Sequence, residues 1–144
     1  MHELKLAALD PEDLQVVSAC VQDAVTRVGD IDWRPREKRL FLTLNRFVWE
    51  TAERRDRGYE RRRSVLHVAR VLSVRSSRIR RDAPDGVLSL LTVRFEPGEA
   101  PSGRIVLEFA GGGALAAEVE CIEVGLADLG PAWATEHRPE HEAG

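Results

Sequence analysis

The chain contains few residues of the kinds that usually identify a chemistry. Only 2 of its 144 residues are cysteines, Cys20 and Cys121, and they lie far apart without Cys-x-x-Cys or Cys/His spacing. This excludes a disulfide framework and a zinc ribbon. A chain of this length buries roughly 70% of its extended surface and folds without such staples. We therefore expect two reduced thiols and a cytoplasmic location.

Other signatures are missing as well. No apolar run approaches the ~20 residues of a membrane-spanning helix, and the charged start, Met1 to Leu6, does not resemble a signal sequence. The nucleophile elbow, the Walker loop and the dinucleotide fingerprint are absent. Aromatic residues make up 6% of the chain, which leaves few rings for stacking nucleic-acid bases. We expect no catalytic residue, metal, cofactor or membrane contact.

Positive charge, in contrast, is concentrated in the middle of the chain. From Arg34 to Arg81 there are 16 Lys and Arg against 5 Asp and Glu, although the whole chain has a net charge of −3. A basic centre between acidic flanks has two interpretations. It marks a site for an anionic partner, or it means that basic strands pair with acidic ones within the fold.

The clearest single element is a predicted central strand from Arg39 to Glu50. Large apolar side chains alternate on both of its faces, which is typical of a strand inside a sheet. Asn45 and Arg46 stand among these apolar neighbours, one on each face. Because buried polar groups require partners, this pair either is satisfied internally or contacts a ligand.

Two regions of the sequence have a helical pattern. Residues 11–28 begin with Asp10-Pro11, an N-cap followed by proline, and have apolar residues at helical spacing, but their β-branched residues also fit a hairpin. At the other end, Val119, Ile122, Leu126 and Leu129 fall on one helical stripe that stops at Gly130-Pro131. The stripe predicts a C-terminal helix.

The remaining segments predict strands joined by turns and by two basic loops, one ending at Arg63 and one following Arg75. The fold class that results is α+β, a mainly antiparallel β sheet curled around the C-terminal helix, similar in element order to a pleckstrin-homology-like sandwich. We expect one globular domain over residues 1–135 and a flexible charged tail over residues 136–144.

The predicted ligand-binding residues are Asn45, Arg46 and Arg70. If the strand from Arg39 and a strand from Val65 are neighbours, Arg46 and Arg70 converge and hold an anion by charge-assisted hydrogen bonds. The alternative is a structural role in which Arg46 pairs with a glutamate, for which the sequence offers Glu50, Glu108 and Glu120.

The predicted basic surface consists of arginines in the two basic loops, Arg54, Arg55, Arg57, Arg61, Arg62, Arg63, Arg78, Arg80 and Arg81. The function that fits best is a non-enzymatic binding or accessory domain that uses this surface to engage an acidic protein partner or a small anion. One alternative is RNA or DNA binding through the Arg54 to Arg63 loop. Another is an enzyme of unfamiliar type built around Cys121 and His67.

Four segments together are similar to a known family. They are Asp13 to Ala19 with Gln22 to Ala24, Asn45 to Glu50, Val119 to Glu123, and Asp128 to Trp133. In order and over nearly the whole chain they resemble a bacterial family catalogued as domain of unknown function 2948. The resemblance implies a single-domain cytoplasmic protein, and it carries over no catalytic residues.

Overall fold

The computed structural model describes residues 5–47, 59–130 and 133–135, and they form ten strands and one helix. In chain order the elements are β1 (Lys5–Ala8), α1 (Pro11–Cys20), β2 (Val25–Arg34), β3 (Arg39–Phe47), β4 (Tyr59–Val68), β5 (Val71–Ser77), β6 (Val87–Pro97), β7 (Gly103–Phe109), β8 (Ala114–Val119), β9 (Val124–Asp128) and β10 (Trp133–Thr135). All the strand pairs are antiparallel.

The helix α1 covers only the first half of the segment for which helix and hairpin were both open. Asp10 caps it by accepting a hydrogen bond from the Asp13 amide at 2.8 Å, and Pro11 occupies the first helical position. Leu14 and Val17 are buried. After Asp23, which has a positive φ of 65°, the β-branched residues that favoured a hairpin enter β2 instead. The helical spacing and the β-branched residues were both valid signals, and they belong to α1 and to β2, respectively.

The predicted central strand and its hairpin are confirmed. β3 pairs with β2 on one side and with β4 on the other. Leu40, Leu42 and Leu44 are completely or almost completely buried, and the side chains between them are half-buried. The predicted strand continues to Glu50, and its last three residues lie outside the described residues.

The strands follow the order β1-β9-β4-β3-β2-β6-β7-β8-β5. This sheet has two halves, β1-β9-β4-β3-β2 and β6-β7-β8-β5. They are joined by a short ladder in which Val25 to Arg27 of β2 pair with Ser89 to Val87 of β6. On the side of β4 that faces away from β3, two strands pair with it. β9 pairs with Ser64 to Val68, and β10 pairs with Tyr59 to Arg61. The apolar core lies between the halves and is closed by α1, which is tied to β6 by a 2.9 Å hydrogen bond from the Val93 amide to Ser18 Oγ.

The predicted C-terminal helix is wrong, and with it the fold in which a sheet curls around that helix. The region contains a turn and the strand β9, so the described residues form a mostly antiparallel β structure with one short helix. Val124, Leu126 and Asp128 are buried at a period of two. The helical stripe was a coincidence, because Asp128 was counted as a surface residue and its buried place in the alternation was overlooked.

The strand expected from Val65 to Val74 is interrupted. β4 ends at Val68, and β5 begins at Val71 as a strand that pairs with β8 in the other half of the sheet. Arg70 lies at this corner with a positive φ of 60°. The chain therefore changes from one half to the other within two residues, and Arg70 is not part of a strand.

Candidate functional site

The polar end of the core is organised around one carboxylate. Asp128 on β9 accepts two hydrogen bonds from Arg46, one from Nε at 2.9 Å and one from Nη2 at 3.0 Å. Ser64 Oγ on β4 donates a third at 2.6 Å. The side chains of Arg46 and Asp128 are both completely buried. This is the two-pronged geometry in which arginine holds a carboxylate most firmly.

Two further arginines are buried beside this pair. Arg62 lies opposite Arg46 across the β3–β4 ladder, its Nε is 3.6 Å from Asp128 Oδ2, and its Nη1 donates to the carbonyl of Gly130 at 3.0 Å. Arg61 donates from Nη1 to the carbonyl of Asn45 at 2.9 Å. Like charges that face each other across a ladder repel. Asp128 offsets this repulsion because its negative charge lies close to both Arg46 and Arg62. We call Arg46, Arg62, Asp128 and Ser64 the Asp128 clamp.

The clamp alters the interpretation of the predicted ligand set. Arg46 contacts Asp128, which was not among the three glutamates considered as its partner. Arg70 is exposed and pairs with Glu123 at 3.2 Å, and this hydrogen bond raises its pKa. Six residues of paired strand separate Arg46 from the Leu40 end of the ladder near Arg70, or about 20 Å. The structure does not bring Arg46 and Arg70 together.

The predicted basic surface divides into three parts. Arg54, Arg55 and Arg57 lie outside the described residues. The next three arginines belong to β4 and not to a loop: Arg61 and Arg62 are buried, and only Arg63 is exposed. The last three, Arg78, Arg80 and Arg81, are exposed in the segment between β5 and β6.

The two residues named for an unfamiliar enzyme lie on β4 and in the segment before β9. His67 on β4 stacks on Phe41 with ring centroids 5.2 Å apart, and burial followed by the nearby charge of Arg39 lowers its pKa. Cys121 is a half-buried free thiol in the turn before β9. Neither residue lines the pocket described below. Over residues 5–47, 59–130 and 133–135, no three His, Cys, Asp or Glu side chains are grouped as metal ligands.

Arginines on β6 and β7 are neutralised by neighbouring carboxylates. Arg94 contacts Glu96 and Glu108, and Arg104 contacts Glu118 and Glu96. The hydrogen bond from Arg94 lowers the pKa of Glu96. These pairs lie outside the basic centre. The pairing of centre with flank that the charge distribution allowed is made by Lys38 with Glu120, Arg46 and Arg62 with Asp128, and Arg70 with Glu123.

Three exposed arginines at one end of β5 lack such partners. Arg75 lies on β5, and Arg78 and Arg81 follow it in the connection to β6. In the described part of the chain none of the three has an ion pair, whereas their neighbour Arg80 contacts Asp82 at 3.4 Å. We call Arg75, Arg78 and Arg81 the arginine rim. Arg75 was not among the residues of the predicted basic surface, although the second basic loop was expected to begin there.

A pocket of about 240 Å³ opens beside the arginine rim, between β2 and β5. Its floor is formed by Leu40 and Leu115, and Trp33 lies on the β2 wall. Arg81 also lines it. No sequence motif indicated this pocket, because its lining comes from segments up to 87 residues apart, between Val28 and Leu115.

These features define an antiparallel β domain with a small apolar pocket and an adjoining basic rim that has no ion pair within the described residues. A family model described as "Protein of unknown function (DUF2948)" matches residues 4–141, and the chain belongs to that family. The resemblance stated from the sequence is thereby confirmed. No curated protein and no solved structure matches the chain. Within the described segments, no helix has the length and apolar character needed to cross a membrane.

Proposed function

We propose that this protein is a non-catalytic binding domain that recognises an anionic group, on an acidic protein partner or on a small anion, through the arginine rim. The observation that carries the proposal is the contrast between two sets of arginines. Arg94 and Arg104 are matched to glutamates. Arg75, Arg78 and Arg81 have no carboxylate partner among the described residues.

The physical reason for this assignment is the state of the guanidinium groups. A paired arginine has already used its donors and its charge, whereas the five N–H donors of an unpaired one remain available to a carboxylate or phosphate. Three such groups within seven residues of sequence also attract an anion before contact is made. The buried Arg46 contributes to the core and not to this surface, because its side chain is inaccessible.

The proposal also places the domain in the cytoplasm. Cys20 and Cys121 form no disulfide in the described structure, and neither is fully exposed. Half-buried cysteines outside disulfides are typical of proteins that remain in a reducing compartment.

The test is a titration of a fluorescein-labelled hexaglutamate peptide, followed by anisotropy at low salt. We expect the triple variant R75Q/R78Q/R81Q to bind about tenfold more weakly, since three exposed contacts at about 0.5 kcal/mol each are removed. The matched control is R34Q/R94Q/R104Q, which removes the same formal charge from arginines that are already paired.

Equal weakening by the two triple variants would overturn the proposal, because it would show a response to net charge alone. A second arm uses a single-stranded oligonucleotide of matched charge. If the oligonucleotide binds and the peptide does not, the domain is a nucleic-acid binder and the proposal fails.

A further inference from the structure

The pocket beside the arginine rim arises from an irregularity in β2. The pairing of β2 with β3 shifts register between Thr26 and Ile31, so several residues of β2 bulge out of the ladder. The backbone there is held by the β5–β6 connection instead: the Val28 amide donates to Gly86 and the Gly29 amide to Pro84, both at 2.9 Å.

The opposite wall is the strand β5. In the described structure β5 pairs with β8 and stands at the end of the strand order, so no ladder joins it to β2. The first residue of β5 is held to the turn between β2 and β3, where the Val71 amide donates to the Lys38 carbonyl at 2.9 Å. The pocket therefore lies between the two halves of the sheet.

The lining of the pocket has an apolar part and a polar part. The floor and the β2 wall are apolar, with Leu40, Leu115 and Trp33 as their main contributors. The polar side chains are Ser76 and Arg81, and they come from the end of β5 and from the connection that follows it. Among the described residues, no carboxylate lines the pocket. A ligand that fits both parts has an apolar body and a single anionic head.

We propose that this pocket binds a small amphiphilic carboxylate, with its aliphatic body against Trp33 and Leu40 and its carboxylate at Arg81 and Ser76. This inference rests on the proposed anion recognition at the arginine rim, because Arg81 belongs to both sites. The carboxylate stays at the exposed mouth beside an exposed guanidinium, so little charge is desolvated when the body enters.

The size of the pocket limits the ligand. Drug-sized ligands occupy cavities of roughly 300–1,000 Å³, and the present pocket of about 240 Å³ is smaller. A medium-chain carboxylate suits this space better than a long-chain fatty acid or a fused-ring cofactor. Acetate and other short anions reach Arg81 without burying apolar surface, and they gain little from the walls.

The experiment is a calorimetric titration of the full chain with octanoate, in parallel with 1-octanol and acetate. Octanol has the body without the anionic head, and acetate has the head without the body. We expect octanoate to bind at least about tenfold more tightly than either. Octanoate should also change the fluorescence of Trp33, and the variant W33F should lose that change.

Arg81→Gln tests the head contact, and Arg80→Gln is its matched control. Arg80 is the adjacent arginine in sequence, pairs with Asp82 and does not line the pocket. We expect R81Q to weaken octanoate at least about tenfold and R80Q to leave it within about twofold. Val28→Phe, which fills the pocket from β2, should block octanoate while circular dichroism shows that the fold persists.

The outcomes separate the two proposals. If hexaglutamate binds and octanoate does not, the pocket inference is overturned and the proposed function stands. If octanoate binds equally well to R81Q and R80Q, the head assignment is wrong. If octanoate binding depends on Arg81 while hexaglutamate does not bind, the inference is supported and the proposal of an acidic protein partner fails.

Discussion

The Asp128 clamp leads to the sharpest stability prediction. Asp128→Asn keeps the shape of the side chain and one oxygen acceptor, but it removes the negative charge that Arg46 and Arg62 share. It also directs an N–H donor group toward guanidinium donors. Removing one partner of a buried ion pair costs about 3–5 kcal/mol, because the remaining charge stays buried without compensation.

Three observations place Asp128 within that range. Its side chain is completely buried, Arg46 approaches it in two-pronged fashion at 2.9 and 3.0 Å, and Ser64 Oγ adds a bond of 2.6 Å. For a urea dependence of about 2 kcal/mol per molar, a loss of about 4 kcal/mol lowers the unfolding midpoint by roughly 2 M. A domain with a total stability of about 5–15 kcal/mol is strongly affected.

The assay is urea unfolding followed by circular dichroism. The matched control is Asp82→Asn, since Asp82 also pairs with an arginine but its side chain and that of Arg80 are 75% and 79% exposed. We expect the control to lose at most about 1 kcal/mol. If D128N does not fold, Ser64→Ala removes one hydrogen bond to the carboxylate, and about 1.5–3 kcal/mol should be lost. Midpoints for D128N and S64A that match D82N would refute the clamp.

Three further perturbations have defined expectations. Burial lowers the pKa of His67, so the unfolded state binds more protons than the folded state. Stability should therefore decline as the pH falls below about 6.5. His67→Gln should flatten that decline. Gly103→Ala should cost about 1–3 kcal/mol, because a Cβ there would lie 2.5 Å from the Glu96 carbonyl oxygen. Asp10→Ala should cost about 1 kcal/mol, because the cap of α1 is lost.

Each expectation has an internal control in urea or thermal unfolding. Gly130→Ala should be nearly neutral, since no described heavy atom lies within 4 Å of a Cβ placed there. Equal effects at Gly103 and Gly130 would contradict the steric argument. The pH argument fails if His67→Gln retains the wild-type slope between pH 7 and 5.5. The cap argument fails if Asp10→Asn, which preserves a capping oxygen, is as unstable as Asp10→Ala.

Local sequence patterns were sufficient for much of the sheet. The alternation in β3, the Arg34 to Lys38 turn and the proline start of α1 are all determined by neighbours within a few residues, and each of them was predictable. The polar end of the core was not. Arg46 and Asp128 are 82 residues apart, and which carboxylate reaches Arg46 depends on β9 lying beside β4.

The same reason explains the misplaced basic loop. Arg61 and Arg62 stand in a run of charged residues that is typical of exposed segments, yet pairing with Phe47 and Arg46 carries both into the interior. A period of two through Val124, Leu126 and Asp128 was the signal that could have identified a buried aspartate. The pocket had no such signal, because the residues that line it are far apart in the sequence.

The sharing of one side of β4 by β9 and β10 has a consequence for a shortened chain. β9 covers Ser64 to Val68, and only the three residues of β10 cover Tyr59 to Arg61. A chain shortened to residue 130 would present those backbone groups as an open border, ready to accept a strand from a neighbouring molecule. The last described strand thus pairs the backbone groups of β4 that β9 leaves uncovered.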